Sequence, residues 1–317
     1  MIPIKLIKDF YDTKVVEVEF SLFYHCNLDC DFCLQRPYKR DQQINILPDD
    51  WLQIAIDRFK QAVPSYNCKK LRVSLYGGEL FQDRFDDEHI DKYHQFMDQI
   101  LQWLDDNDYQ CSFELVTNLV YHNIDRMIDF ITKYNYSVAT SFDFVGRFTK
   151  PIQFEQWKAN VQTLIDRNIN FGVVIIGHKQ NLIALQNDIY DISFFANNPN
   201  VNVDIADYDD TNDQQKYLIT TEQYLEFVQL LTKKYPKIKL SLFGGAAKCG
   251  LGVLDISSSH TITKRCDEVK LTEMIIRKFD CISCQYKPRC IINCPRKFLH
   301  NSFCPNKRLY KFKQESH

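Results

Sequence analysis

Cys26, Cys30 and Cys33 place three thiols within eight residues, separated by three and then two positions, with the aromatic Phe32 just ahead of the last. Thiolates are the usual ligands of iron–sulfur clusters. A [4Fe–4S] cube normally takes four, so a compact loop that offers three leaves one iron open to another ligand. Two other readings stand beside this one. A zinc site would need a fourth ligand close by, and the ring of His25, adjacent to Cys26, is poorly placed to complete a tetrahedron around the same ion. The alternative to any metal is three unrelated buried thiols.

A second group of cysteines follows late in the chain: Cys249, Cys266, Cys281, Cys284, Cys290, Cys294 and Cys304. Seven thiols are too many for one four-thiolate zinc and one too few for two. Of the twelve cysteines, Cys68 and Cys111 alone stand between the two groups, and they read as core thiols. A basic, then apolar leader with a small-residue cleavage site is not found at Met1-Ile2-Pro3-Ile4-Lys5. Clusters of cysteine in such a chain point to metal rather than to disulfides.

The rest of the composition narrows the class. The chain has 317 residues, 45% of them apolar and 14% aromatic, enough for one large core with room for a smaller module. With 39 Lys and Arg against 41 Asp and Glu, the net charge of −2 advertises no nucleic-acid partner. The basic segment from Lys307 to Lys313 reads as a solvated tail. There is no run of eighteen apolar residues, so no membrane span is expected, and a cytoplasmic protein is.

The elements that must position the first cysteines can be read from periodicity. A strand from Val15 to Leu22 leads into them. Leu47-Pro48-Asp49-Asp50 signals a helix start, and Leu52, Ala55, Ile56, Phe59 and Val63 follow at helical spacing. A strand over 71–76 and a helix marked by Ile90, Tyr93, Met97, Ile100 and Leu104 come next. The rhythm continues as strand 112–117, helix 122–134, strand 136–142, helix 153–168, strand 171–177, helix 181–190 and strand 201–206. Six strands with helices between them make a parallel sheet the economical fold, and such sheets carry their chemistry at the C-terminal strand ends. After residue 240 the rhythm stops. The polar run Asp207 to Asp213 suggests a boundary, giving a first domain over 1–210, a connecting helix region over 211–240 and a cysteine-rich domain over 241–317.

Several strand ends carry groups able to hold a small polar ligand. Gly77-Gly78-Glu79 follows the second strand, where two glycines permit close approach to backbone and a carboxylate can hold an ammonium group. Ser141 and Arg147 at the end of the fourth strand offer a hydroxyl and a guanidinium fork for a carboxylate or ribose. Asn118, in Thr117-Asn118-Leu119, and Asn181, in Gly177-His178-Lys179-Gln180-Asn181, stand at two further strand ends. Each also has a plain reading, Asn118 as a turn former and Asn181 as a helix cap, with His178 a conceivable proton carrier.

Taken with the aromatic Phe32, the CxxxCxxC loop resembles the signature of the radical SAM superfamily, in which the open iron is chelated by S-adenosylmethionine. The resemblance implies an open (β/α)6 barrel, three-quarters of a TIM barrel. Gly77-Gly78-Glu79 matches the family's GGE motif, which meets the methionyl amino group, with Leu80 in place of the usual proline. Ser141 and Arg147 match positions that meet the methionyl carboxylate, Thr117-Asn118 matches the Thr-Asn-Gly turn with Leu119 replacing glycine, and Asn181 would wall the adenine pocket. Phe32, Gly77, Gly78, Glu79, Asn118, Ser141, Arg147 and Asn181 are therefore expected to bind S-adenosylmethionine.

The late spacing C-x2-C-x5-C-x3-C resembles the SPASM extension of radical SAM enzymes, which holds two auxiliary [4Fe–4S] clusters and brings the total to three. The resemblance assigns Cys281, Cys284, Cys290 and Cys304 to one auxiliary cluster and Cys249, Cys266 and Cys294 to the other. The latter lacks the further upstream cysteine common in the family, which implies an open or otherwise ligated iron. The glycine usual shortly before the second cysteine is also missing, Thr261 standing five residues ahead of Cys266. Asp267, directly after Cys266, resembles an aspartate that takes a substrate proton in anaerobic sulfatase-maturating enzymes; it also suits a turn cap.

What this implies is reductive cleavage of S-adenosylmethionine to a 5′-deoxyadenosyl radical, with a flavodoxin or ferredoxin as the donor. The radical would take hydrogen from a peptide or protein side chain in a crosslinking or oxidation reaction. The short stretch ahead of Cys26 leaves recognition of a peptide substrate to a separate leader-recognition protein or to direct binding by the barrel. Radical dehydrogenation or epimerisation of a small molecule is the alternative reaction, and a non-catalytic zinc or iron–sulfur module the alternative of another class.

Overall fold

A computed structural model describes residues 15–31, 33, 50–207, 217–241, 253–257 and 261–264. Phe32, Cys249, Cys266, Asp267, Cys281, Cys284, Cys290, Cys294 and Cys304 lie outside the described residues, as do Leu47 to Asp49 of the expected helix start.

Strands and helices alternate along the chain. The order is β1 (Val16–Ser21), α1 (Trp51–Ala62), β2 (Lys70–Tyr76), α2 (Asp87–Asp106), β3 (Gln110–Thr117), α3 (Ile124–Tyr134), β4 (Tyr136–Phe142), α4 (Pro151–Asp166) and β5 (Phe171–Gly177). After these come α5 (Lys179–Gln186), the short α6 (Ser193–Ala196), β6 (Val201–Asp207), α7 (Thr221–Lys234), β7 (Leu240–Ser241), β8 (Val253–Ser257) and β9 (Thr261–Lys264). The strands form one sheet in the order β7-β6-β5-β4-β3-β2-β1-β8-β9. Every neighbouring pair is parallel except β8 with β9. Among the described residues β7 does not meet β9, so the sheet is open, as expected for part of a barrel.

Alternation along each strand assigns its two faces. Val16, Val18 and Phe20 of β1 are fully buried, and Phe20 meets Phe59 of α1 and Phe96 of α2 with ring centroids 5.6 and 5.1 Å apart. On β4, Phe142 packs on Trp157 of α4 and Phe195 of α6. The helices therefore cover one face. The other face is polar. Glu17 of β1 stands beside Arg72 of β2 and pairs with it at 2.7 Å, and the next row places Glu19, Ser74, Glu114 and Ser137 side by side. Burial pushes the carboxyl of Glu17 upward, Arg72 pulls it down, and the nearby charge of Glu114 adds to the rise. Ser141 lies on this polar face, alternating with the buried Thr140 and Phe142.

Element ends differ from the periodic expectation where a cap intervenes. α4 starts at Pro151 rather than 153, because proline fits the first helical turn and the Gln153 side chain accepts from Lys150 N. α5 starts at Lys179 rather than 181, because His178 Nδ1 accepts from Asn181 N and caps it. The β8–β9 hairpin and α6 were not anticipated. The cysteines dominate the late sequence, although Val253-Leu254-Asp255-Ile256 alternates as a strand should, with Leu254 and Ile256 fully buried. Among the described residues no helix is long and apolar enough to cross a membrane.

Candidate functional site

The cysteine loop leaves the C-terminal end of β1 and is held by the ends of β2, β3 and β4. At β2, Gly78 N donates to Phe23 O at 2.7 Å and Glu79 N to His25 O at 2.9 Å. The glycines serve this contact. A Cβ on Gly77 would sit 2.6 Å from Phe23 O, and one on Gly78 only 1.6 Å from His25 O, where backbone cannot give way. Gln82 completes the seam: its amide nitrogen donates to the carbonyls of His25 and Glu79, and its oxygen is 2.8 Å from His25 Nδ1.

Glu79 turns inward and is 1% exposed. Its carboxylate accepts from Asn118 N at 2.5 Å, from Phe81 N at 3.1 Å and from the Thr117 hydroxyl at 3.1 Å to each oxygen. Burial pushes this carboxyl above the ordinary glutamate range, against the pull of those donors and of the Arg147 charge. An incoming ammonium group would meet a carboxylate already engaged, whereas Gly77 and Gly78 remain half-buried beside it.

At β3 the turn Thr117-Asn118-Leu119 touches the loop directly. Asn118 Nδ2 donates to Asn27 Oδ1 at 2.7 Å and lies 3.4 Å from Cys26 Sγ, while Asn118 Oδ1 accepts from Val120 N at 2.7 Å. Asn27 Nδ2 in return donates to Val120 O. Leu119, which replaces glycine, has φ of 56°, the left-handed region where a side chain costs about 1–2 kcal/mol. The turn is secured from behind by Asn160 of α4, whose Nδ2 donates to the carbonyls of Leu119 and Tyr121 at 3.0 and 2.7 Å.

At β4, Asp31 N donates to Gly146 O at 2.9 Å and Cys30 Sγ lies 3.8 Å from Arg147 O. The same Arg147 sends Nη1 to Ser141 Oγ at 2.7 Å, so the two expected ligand-binding residues meet. Arg147 is buried, and its Nε has no hydrogen-bond acceptor among the described residues, nor has Asp143 Oδ2 a donor. A buried guanidinium N–H without an acceptor suits an anionic ligand group such as a carboxylate.

Asn181 is fully buried. Its oxygen accepts from Phe144 N and Val145 N at 2.9 and 3.2 Å, and its nitrogen donates to Asp143 Oδ1 and Ile176 O at 3.0 and 2.7 Å. Its side chain is therefore occupied in tying the loop after β4 to the end of β5, and His178 takes the capping role that sequence offered Asn181. His178 packs on Tyr217, whose hydroxyl donates to Asp31 Oδ2 at 3.1 Å and links the loop to a distant part of the chain.

Cys26 and Cys33 are half-buried and Cys30 is buried. Among the described residues no three Cys, His, Asp or Glu side chains close on one point as a bound metal ion would require. The surroundings of Cys26 nevertheless fit a metal-bound sulfur. Leu28 N and Asn118 Nδ2 both lie 3.4 Å from its Sγ and would stabilise negative charge there. Sequence reasoning missed Asn27, Asp31, Gln82, Asn160 and Tyr217, which fasten the loop. Asn160 alone left a signal, a polar residue on the buried side of α4.

No protein-family model matches the sequence, and neither does any curated protein. Solved structures share the fold. Native anSMEcpe, an anaerobic sulfatase-maturating enzyme, with bound AdoMet and the Kp18Cys peptide superposes with a TM-score of 0.58 at 12% identity, over 87% of this chain and 88% of that one. The same protein with AdoMet and the Cp18Cys peptide gives 0.59 at 13% identity, over 94% and 95%. A hexahistidine-tagged form with AdoMet gives 0.61 at 12% identity, over 95% and 96%.

Proposed function

We propose that this chain is a radical S-adenosylmethionine enzyme that acts on a peptide or protein side chain. One observation carries the reading: three strand ends bearing Glu79, Asn118 and Arg147 converge on the loop of Cys26, Cys30 and Cys33. A cysteine loop of purely structural use would not need a buried guanidinium N–H without an acceptor beside it. The fold shared with AdoMet-bound anSMEcpe supports the cofactor, and the peptides in two of those structures support the substrate class.

Cys26, Cys30 and Cys33 would hold a [4Fe–4S] cluster. When bound, it would supply the electron that cleaves S-adenosylmethionine to the 5′-deoxyadenosyl radical, which takes hydrogen from the substrate. Arg147, steadied by Ser141, binds the methionyl carboxylate through its buried N–H. Gly77 and Gly78 present the end of β2 to the ligand, with Glu79 acting behind them through the Asn118 turn. Asn181 shapes the adenine side at second hand, by fixing Phe144 and Val145. Phe32 would pack beside the cofactor.

The late cysteines would hold two auxiliary clusters, Cys281, Cys284, Cys290 and Cys304 in one and Cys249, Cys266 and Cys294 in the other, with Asp267, next to Cys266 in the sequence, as proton acceptor. The β8–β9 hairpin supports a shared site for Cys249 and Cys266. Val253 and Lys264 pair at its open end, and the two cysteines stand four residues before the one and two after the other. A flavodoxin or ferredoxin is the reductant, and the cytoplasm is the setting.

Anaerobic reconstitution tests the reading. About twelve irons per chain are expected, four for each cube. With dithionite and S-adenosylmethionine the protein should release 5′-deoxyadenosine, and Cys30→Ala should not. Uptake of about four irons would remove the auxiliary clusters, and zinc without iron would overturn the proposal.

A further inference from the structure

We infer that the side-chain amide of Asn118 acts on the sulfur of Cys26 and thereby raises the reduction potential of the cluster that the cysteine loop would hold, an inference that rests on the iron–sulfur reading above. Asn118 Nδ2 lies 3.4 Å from Cys26 Sγ, and its direction is fixed by its own oxygen, which accepts from Val120 N at 2.7 Å. A flip of the amide would set that oxygen against the sulfur and the NH2 group against the Val120 N–H. The backbone is held as firmly, with Asn118 N on the Glu79 carboxylate and Asn160 on the carbonyls of Leu119 and Tyr121. The amide therefore cannot swing away without breaking several buried bonds.

This contact differs in kind from the donation by Leu28 N to Cys26. Leu28 N reaches a sulfur two residues earlier, as Lys70 N does at Cys68, so that geometry is local. Asn118 comes from another strand end, 92 residues away. An N–H pointed at a cluster sulfur stabilises the more negative, reduced state, and so makes the cluster easier to reduce. Asn118 is a positioning residue for charge, not a ligand.

The test is an EPR-monitored redox titration of the full chain after anaerobic reconstitution, following the signal that S-adenosylmethionine perturbs. Asn118→Ala should load iron and show a more negative midpoint potential than wild type; an unchanged or raised potential overturns the inference. Asn118→Asp keeps the acceptor for Val120 N and replaces the donor with a carboxylate oxygen, so its potential should fall further. It decides the matter if the alanine variant takes up no iron. Loss of iron uptake in both variants, with wild type loaded, overturns tuning in favour of an essential structural contact. A wild-type protein that takes up no iron fails the iron–sulfur reading itself.

Discussion

The carbonyl oxygen of His25 stands 1.6 Å from where a Cβ on Gly78 would be. The residue before the first cysteine is thus seated on a glycine just past the end of β2. Gly78→Ala must push the cysteine loop off this seat, at about 1–3 kcal/mol as for other overpacked sites, and lower iron uptake in proportion. Gly172 of β5 is the control, since a Cβ there finds its nearest atom at 3.8 Å. Gly172→Ala should leave the urea midpoint within the equivalent of about 1 kcal/mol of wild type. Equal effects at the two positions would refute the seating.

Glu79 should make stability depend on pH. Its carboxyl titrates near about 4.3 in an unfolded chain and higher in the fold, so folding binds a proton between those values. Its contribution is complete below about pH 4.3 and is lost as pH rises through the folded value. Urea unfolding of wild type and Glu79→Gln from pH 4 to 7 isolates this group, because the remaining carboxylates are common to both. The difference should move against wild type as pH rises, and a difference independent of pH would mean that Glu79 titrates normally.

Arg147→Lys keeps a positive charge but loses the fork that grips Ser141 and leaves Nε for a ligand. Loss of one charge-assisted bond, about 1.5–3 kcal/mol, predicts a Kd for S-adenosylmethionine weaker by about 10- to 150-fold in the reconstituted protein. Equilibrium dialysis reads this directly. Unaltered affinity would separate Arg147 from the ligand.

Burial pushes the Cys111 thiol up to about 12, so little thiolate is present near neutrality. Mass spectrometry after brief alkylation of the native protein at pH 8 should find Cys111 unmodified. Rapid labelling would show that β3 opens readily.

Periodicity located all six strands of the first sheet expectation, and even the ends of β4 and β5, because buried and exposed positions alternate so regularly there. It misplaced the starts of α4 and α5, which are decided by Gln153 and His178 acting as caps rather than by any apolar stripe. In the site, spacing singled out Cys26, and strand-end residue types and the family resemblance singled out Glu79, Asn118 and Arg147, but none of these could say which touches which. The direction of the Glu79 side chain, into the Asn118 turn, follows from burial and is invisible in a tripeptide. Tyr217 left no trace at all, since its partner Asp31 lies 186 residues away.

β1 is flanked by β2 on one side and by β8 on the other, with Glu17 opposite both Arg72 and Val253. A ribosome making this chain releases β1 long before β8. Until β8 emerges, one edge of the strand that carries the cysteines offers unpaired N–H and C=O groups, a template for mispairing with other chains. Closing that edge requires a contact between segments far apart in sequence, which makes it an intrinsically slow event. The cysteine loop thus springs from a strand that is made long before its second edge can be enclosed.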